Sequence, residues 1–174
     1  MRHALSHQFK RPTFDWQFVE QPNSAPKVDN LPDNCFFSLS HSHGAICLAI
    51  SNEPVGIDIE QKKMRSNFTS LAKAFMTTEE TELLNVSDGT AMDTFYKIWC
   101  AKEASYKATP ARSQQALFLK QINYIALELG LTEKNLSQGS IDHCHLALVT
   151  QSKSEEVKSL DANTFNGTVK IKWI

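Results

Sequence analysis

Short runs of alternating apolar residues give way near residue 66 to apolar positions at helical spacing, and alternation returns in the last third of the chain. Residues 1–34 are polar and broken by Pro12, Pro22, Pro26 and Pro32, while Phe14, Trp16 and Phe18 alternate as in a short strand. This predicts an arm or a cut-down subdomain. Cys35 to Leu39 and Ala45 to Ile50 are apolar runs joined by the polar segment Ser40-His41-Ser42-His43-Gly44, the pattern of a hairpin. After the turn Asn52-Glu53-Pro54 comes Val55 to Glu60. In an extended strand Ile57 and Ile59 would enter a core while Asp58 and Glu60 share the opposite face. Three strands so close in sequence are expected to pair as an antiparallel meander.

Beyond the basic turn Gln61 to Ser66, Phe68, Leu71, Ala72 and Phe75 fall at helical spacing. Thr77 or Thr78, followed by Glu79 and Glu80, supplies capping oxygens and first-turn acids for a second helix ending near Val86, with Asp88-Gly89 as its stop. A third helix, from about Ala91 to Ala108, carries Phe95, Trp99, Glu103 and Lys107 one turn apart and ends at Thr109-Pro110. Gln114 to Leu131 suits helix, strand or both. His143 to Thr150 reads as a buried strand and Val169 to Ile174 as a last one. Asp142 to Val149 faintly echoes Ser40 to Cys47, which makes a two-half architecture thinkable without establishing a repeat. The expected fold class is α+β in one domain, with two small unequal lobes: a short N-terminal one over residues 1–50 and a C-terminal one over 51–174.

A chain of 174 residues can bury a sizeable core without staples. Its net charge of −1, from 18 basic and 19 acidic residues, lacks the basic excess of a nucleic-acid binder, so anion binding must be local. No run approaches the roughly 18–20 apolar residues that span a bilayer, and the basic segment Met1 to Pro12 has no apolar run behind it. Neither export nor membrane insertion is expected. Cys35, Cys47, Cys100 and Cys144 form no Cys-x-x-Cys pair and read as reduced thiols of a cytoplasmic protein.

Three stretches carry candidate chemistry. Asp58 and Glu60 would stand roughly 6–7 Å apart on one strand face. Such a pair suits magnesium, which takes one or two protein carboxylates plus phosphate oxygens; a solvated acidic face is the plain alternative. Gly56 would let another backbone or a phosphate approach closely. Glu103, on a stripe with Phe95 and Trp99, needs a cation or hydrogen bond to offset desolvation and could be a metal ligand or a base. Its alternative is an ordinary ion pair with Lys107 on a wet helix. Ser40 to His43 offers hydroxyls, imidazoles and amides to a phosphate. A zinc site using His41, His43, His143 and His145 lacks any supporting cysteine spacing, and a Ser–His nucleophile pair is disfavoured because adjacent strand residues diverge.

Ser-Leu-Ser-His-Ser at 38–42, Val-Gly-Ile-Asp-Ile-Glu at 55–60 and Trp-Cys-Ala-Lys-Glu-Ala-Ser-Tyr-Lys at 99–107 stand in an order that strongly resembles the 4′-phosphopantetheinyl transferases of the surfactin-synthetase-activating type. The resemblance runs from Phe36 to Ala108. It implies transfer of the phosphopantetheine arm of coenzyme A to a serine of an apo acyl or peptidyl carrier protein, with magnesium as cofactor and adenosine 3′,5′-bisphosphate as product. By motif, Asp58, Glu60 and Glu103 match the metal ligands, Glu103 also being the proposed base; Lys102 and Lys107 match phosphate-contacting lysines, and Lys107 can also offset charge at the reacting centre. Ser40 and His41 match the pair engaging the 3′-phosphate of coenzyme A. The family's Gly-Lys/Arg-Pro turn is replaced by Ser24-Ala25-Pro26, for which Lys27 or Arg11 could compensate, and only 37 residues precede Ser38, so one family lobe must be abbreviated. A monomer is expected, with the cofactor between the lobes and acidic carriers docking at Lys62, Lys63 and Arg65 beside Met64, Phe68 and Phe75. The rival reading is a degenerate relative that binds coenzyme A or a carrier without transfer.

Overall fold

The computed structural model describes residues 1–20, 26–66, 68–86 and 91–151. The chain divides into two compact units, with the break between Cys35 and Phe36. In the first unit, helix α1 (Arg2–Phe9) ends at Lys10 in the left-handed region. Only Leu5 of α1 is buried, so the helix leaves no apolar stripe in the sequence. Residues Thr13–Asp15 form a 3-10 turn rather than the expected strand, which turns Phe14 out to 82 % exposure and Trp16 inward. The Trp16 indole N–H donates to Ser6 Oγ at 2.9 Å, and the Arg11 guanidinium lies over its ring. Among its described residues, strand pairing is limited to β1 (Phe18–Val19) with β2 (Lys27–Val28). Ser24 and Ala25 lie outside the described residues; Lys27 is paired with Asp29, and Arg11 donates to the Asn30 carbonyl.

The second unit opens with a hairpin, β3 (Phe36–Ser42) and β4 (Ala45–Ser51). Its turn is only two residues, His43 and Gly44, with φ of 46° and 85°. Two successive positive φ values give the turn whose twist suits a hairpin. Ser40, His41 and Ser42 are therefore strand residues, not the expected turn.

The expected meander is not formed. Strand β5 (Val55–Gln61) pairs antiparallel with β7 (Cys144–Thr150), Asp58 opposite Ala147, and β7 pairs on its other side with β6 (Asn135–Ile141). The other edge of β5 is satisfied differently. The amides of Ile57, Ile59 and Gln61 donate to the hydroxyls of Ser38, Ser40 and Ser42 at 3.0, 3.2 and 3.1 Å. It is a side-chain face of β3 that meets β5, so the alternate serines on that face stand in for carbonyls, and β3 runs parallel to β5. Strand β6 has no fully buried residue and no apolar alternation to announce it. The 142–149 echo of residues 40–47 sets the turn residues Asp142 and His143 against the strand residues Ser40 and His41, so it is not a structural repeat.

Helix α2 (Phe68–Phe75) leads to α3 (Thr78–Val86), which Thr77 caps: Glu80 N donates to Thr77 Oγ1 at 3.3 Å and Thr77 N to Glu80 Oε2 at 2.8 Å. Helix α4 (Ala91–Lys107) is central. Phe95, Ile98, Cys100, Ala101 and Ala104 enter a core shared with Phe75, Met76, Ala147 and Val149. Gly56 fits this helix to β5, since a Cβ there would collide with the carbonyl oxygen of Ala104. The ambiguous 114–131 stretch holds a 3-10 turn (Leu119–Gln121) and helix α6 (Tyr124–Glu128), preceded by the single turn α5 (Ala111–Gln114). Asn123 caps α6 by accepting from Ala126 N, and Gly130 follows in the left-handed region. The expected breaker Asp88-Gly89 and last strand Val169 to Ile174 lie outside the described residues. Antiparallel sheets packed with helices make the fold α+β.

Candidate functional site

Strand β5 presents Asp58 and Glu60, and helix α4 presents Glu103, to one cleft of about 300 Å³, lined also by Leu39, Ser40, His41, Trp99 and Lys107. Asp58 is 4 % exposed. Its Oδ1 accepts from Lys107 Nζ at 2.7 Å and from Ser40 Oγ at 2.9 Å, while Oδ2 is buried with no hydrogen-bond partner. A buried carboxylate oxygen left unpaired costs free energy, and a cation or donor reaching Oδ2 would remove that cost. Glu60 Oε2 accepts from Ser42 Oγ at 3.2 Å and lies 3.8 Å from the Arg65 guanidinium. Burial pushes the Glu103 carboxyl above its usual range, Asp58 and Glu60 add to the rise, and Lys107 opposes it.

Lys107 also donates to the Ile57 carbonyl at 3.3 Å, so two of its three donors hold β5. One turn of α4 separates Glu103 from Lys107, which puts both on the cleft side. Lys102 is elsewhere. Its ammonium is fully buried, 2.7 Å from Glu80 Oε2, and donates to the carbonyls of Leu119 and Ile122 at 3.2 and 2.6 Å. All three donors are used in the core, so the phosphate contact expected of Lys102 does not fit its position. Desolvation lowers its pKa and Glu80 resists the change.

Ser40 and His41 divide. His41 is exposed at the cleft, whereas the Ser40 hydroxyl is buried, accepting from Ile59 N and donating to Asp58. The hydroxyl thus faces the acidic strand and leaves the imidazole as the group free to meet an anion. The zinc histidines are scattered: His145 is buried against Gln138 Oε1 at 2.9 Å, and His43 Nε2 lies 3.1 Å from Lys63 Nζ. Among the described residues no three His, Cys, Asp or Glu side chains are gathered into a metal cage. Asp58, Glu60 and Glu103 line one cleft while Lys107, Ser42 and Arg65 hold two of them by one oxygen each.

Around the basic turn, Lys62 pairs with Asp93 at 3.0 Å and Arg65 donates to the Tyr96 hydroxyl. Met64 is exposed, but Phe75 is a core residue and Phe68 packs on Phe95 at 4.7 Å, so the expected apolar surface there reduces to Met64. Sequence reasoning passes over Leu39 and Trp99 as cleft walls and Ser42 as the partner of Glu60. Trp99 could have been found from its place one turn before Glu103; nothing local signals Ser42.

Residues 54–158 match the profile of the 4′-phosphopantetheinyl transferase superfamily. The chain is 34 % identical over 108 residues to the 4′-phosphopantetheinyl transferase Sfp of Bacillus subtilis, covering 62 % of this chain and 47 % of that one. It is 40 % identical over 75 residues to the 4′-phosphopantetheinyl transferase HetI of Nostoc, covering 42 % and 32 %. With the 4′-phosphopantetheinyl transferase AcpT of Escherichia coli the identity is 32 % over 113 residues, covering 64 % and 52 %. The chain therefore spans about half the length of the curated relatives it matches. The family match takes in β5, α4 and β7, the elements that carry and back the acidic cleft, and by that match the chain belongs to the 4′-phosphopantetheinyl transferase superfamily.

Proposed function

We propose that this protein transfers the 4′-phosphopantetheine arm of coenzyme A to a serine of an apo acyl or peptidyl carrier protein, releasing adenosine 3′,5′-bisphosphate. The observation that carries the proposal is the unpartnered, buried Oδ2 of Asp58 in a cleft shared with Glu60, Glu103 and Lys107. Oxygen donors of this kind fit a hard cation, and Asp58, Glu60 and Glu103 would hold magnesium. Bound there, magnesium supplies neutralisation of charge on the pyrophosphate oxygens. Lys107 keeps one N–H free of its contacts with β5 for a phosphate oxygen. Glu103, whose carboxyl holds a proton more readily than usual, accepts the proton of the carrier serine as its oxygen attacks phosphorus. The exposed His41 at the cleft is the group for the 3′-phosphate. Trp99 and Leu39 supply apolar walls.

The test is mass spectrometry of several apo carriers incubated with the protein, coenzyme A and magnesium, looking for the phosphopantetheine adduct. Asp58→Ala should lower transfer by more than tenfold, that is by more than about 1.4 kcal/mol of barrier, while the fold persists. Carriers that stay unmodified, with coenzyme A still bound, would instead establish a binding protein without transferase activity.

A further inference from the structure

The serine hydroxyls between β3 and β5 do more than replace a strand. Each hydroxyl that accepts an amide of β5 has one proton left to donate, and the residue just before that amide decides where it goes. Ser40 accepts from Ile59 N and donates to Asp58 Oδ1. Ser42 accepts from Gln61 N, and its proton meets Glu60 Oε2 at 3.2 Å, the nearer of two acceptors, His43 Nδ1 lying at 3.4 Å. The same relation repeats two residues on, with the same offset between strands. At Ser38, which accepts from Ile57 N, the corresponding position is Gly56, and there is no side chain to receive a proton.

We propose that Ser42 is a positioning residue for metal binding, fixing the Glu60 carboxylate so that its second oxygen faces the cation, with Ser40 doing the same for Asp58. The amide sets the direction of the hydroxyl, and the hydroxyl then pins one carboxylate oxygen. Both contacts of Glu60 fall on Oε2, as both contacts of Asp58 fall on Oδ1. Without the pin, Glu60 would keep only the longer contact to Arg65 at 3.8 Å and would swing freely at the cleft edge. Outer partners of ligating carboxylates commonly change metal affinity by about 10–100-fold. The inference rests on the proposed magnesium site and adds the residue that orders it.

Ser38 provides the control, because it makes the same backbone bond without a carboxylate to hold. Manganese is the probe, titrated calorimetrically and by electron paramagnetic resonance into wild type, Ser42→Ala, Ser42→Thr and Ser38→Ala, with a thermal melt of each without metal. The expected result is a dissociation constant raised about tenfold in Ser42→Ala, restored in Ser42→Thr and unchanged in Ser38→Ala, while both alanine variants melt lower than wild type. Equal affinities for Ser42→Ala and wild type, or equal weakening in Ser38→Ala, would reduce Ser42 to a structural hydroxyl. Absence of manganese binding by the wild type would overturn the metal site itself, a result distinct from either.

Discussion

Gly56→Ala tests the joint between β5 and α4. The added methyl would interpenetrate the Ala104 carbonyl oxygen and stand 2.6 Å from Ala108 N and 2.9 Å from Ala104 C. Ordinary contact requires roughly 3.5 Å, so clearing the Ala104 carbonyl oxygen takes a retreat of the last turn of α4 by roughly 1.5 Å or more. Those are backbone atoms, and Ala104 O accepts the 2.9 Å bond from Ala108 N that closes the helix, so no side chain can rotate away to relieve the clash. Overpacking typically costs about 1–3 kcal/mol, and a backbone collision belongs at the top of that range. About 3 kcal/mol corresponds to a melting temperature lower by roughly 6–12 °C for a chain of this size. Lys107 would retreat with the helix, loosening its 2.7 Å hold on Asp58. Gly139→Ala is the internal comparison: it lies in β6 of the same sheet, and nothing lies within 4 Å of its added Cβ. That change should be neutral or slightly stabilising, because glycine inside a strand costs about 0.5–1 kcal/mol relative to alanine. Thermal and urea denaturation followed by circular dichroism would measure both. A Gly56→Ala midpoint within about 2 °C of wild type would refute the claim that β5 and α4 are in rigid contact here.

Lys102→Met strands the Glu80 carboxylate in the core and should cost about 3–5 kcal/mol, with a second change, Glu80→Gln, recovering part of it; both are read from urea midpoints. Burial and the nearby Lys62 and Lys97 push the His145 imidazole down to about 4, so it stays neutral in the fold while the unfolded chain takes up a proton near pH 6.5. Stability should therefore be complete above pH 6.5 and fall as pH drops toward 4, by on the order of 3 kcal/mol, and His145→Gln should flatten that slope in denaturation at pH 7 and 4.5. His41→Ala should weaken coenzyme A more than dephospho-coenzyme A in calorimetric titration; equal weakening would remove the 3′-phosphate from His41.

What the sequence makes legible is local. Asp58 and Glu60 share a strand face, and Glu103 and Lys107 share a helix face, because both periodicities act over a few residues. The capping box at Thr77 and the approach of backbone to Gly56 are visible for the same reason. Lys102 misleads because motif adjacency to Glu103 hides a rotation of about 100° around the helix, enough to carry it into the core beside Ile98 and Ala101. The partner of β5 is illegible: alternation marks β7 as a strand but cannot say which edge it joins. The serine bonds are illegible for a different reason, since a hydroxyl accepting an amide leaves no trace in apolar patterning. Phe75 and Phe68 look like surface only while the helix that buries them is unplaced.

The serine-lined edge of β5 also bears on how the chain acquires its shape during synthesis. The hairpin β3–β4 is complete before β5 leaves the ribosome, whereas β7, the backbone partner of β5, is made only after all of α4. At about 5–20 residues per second the interval is on the order of ten seconds. Through that time the amides of Ile57, Ile59 and Gln61 already have hydroxyl acceptors within reach on the preceding hairpin. One edge of the nascent acidic strand is thereby closed to stray strand pairing while its permanent neighbour is still being translated.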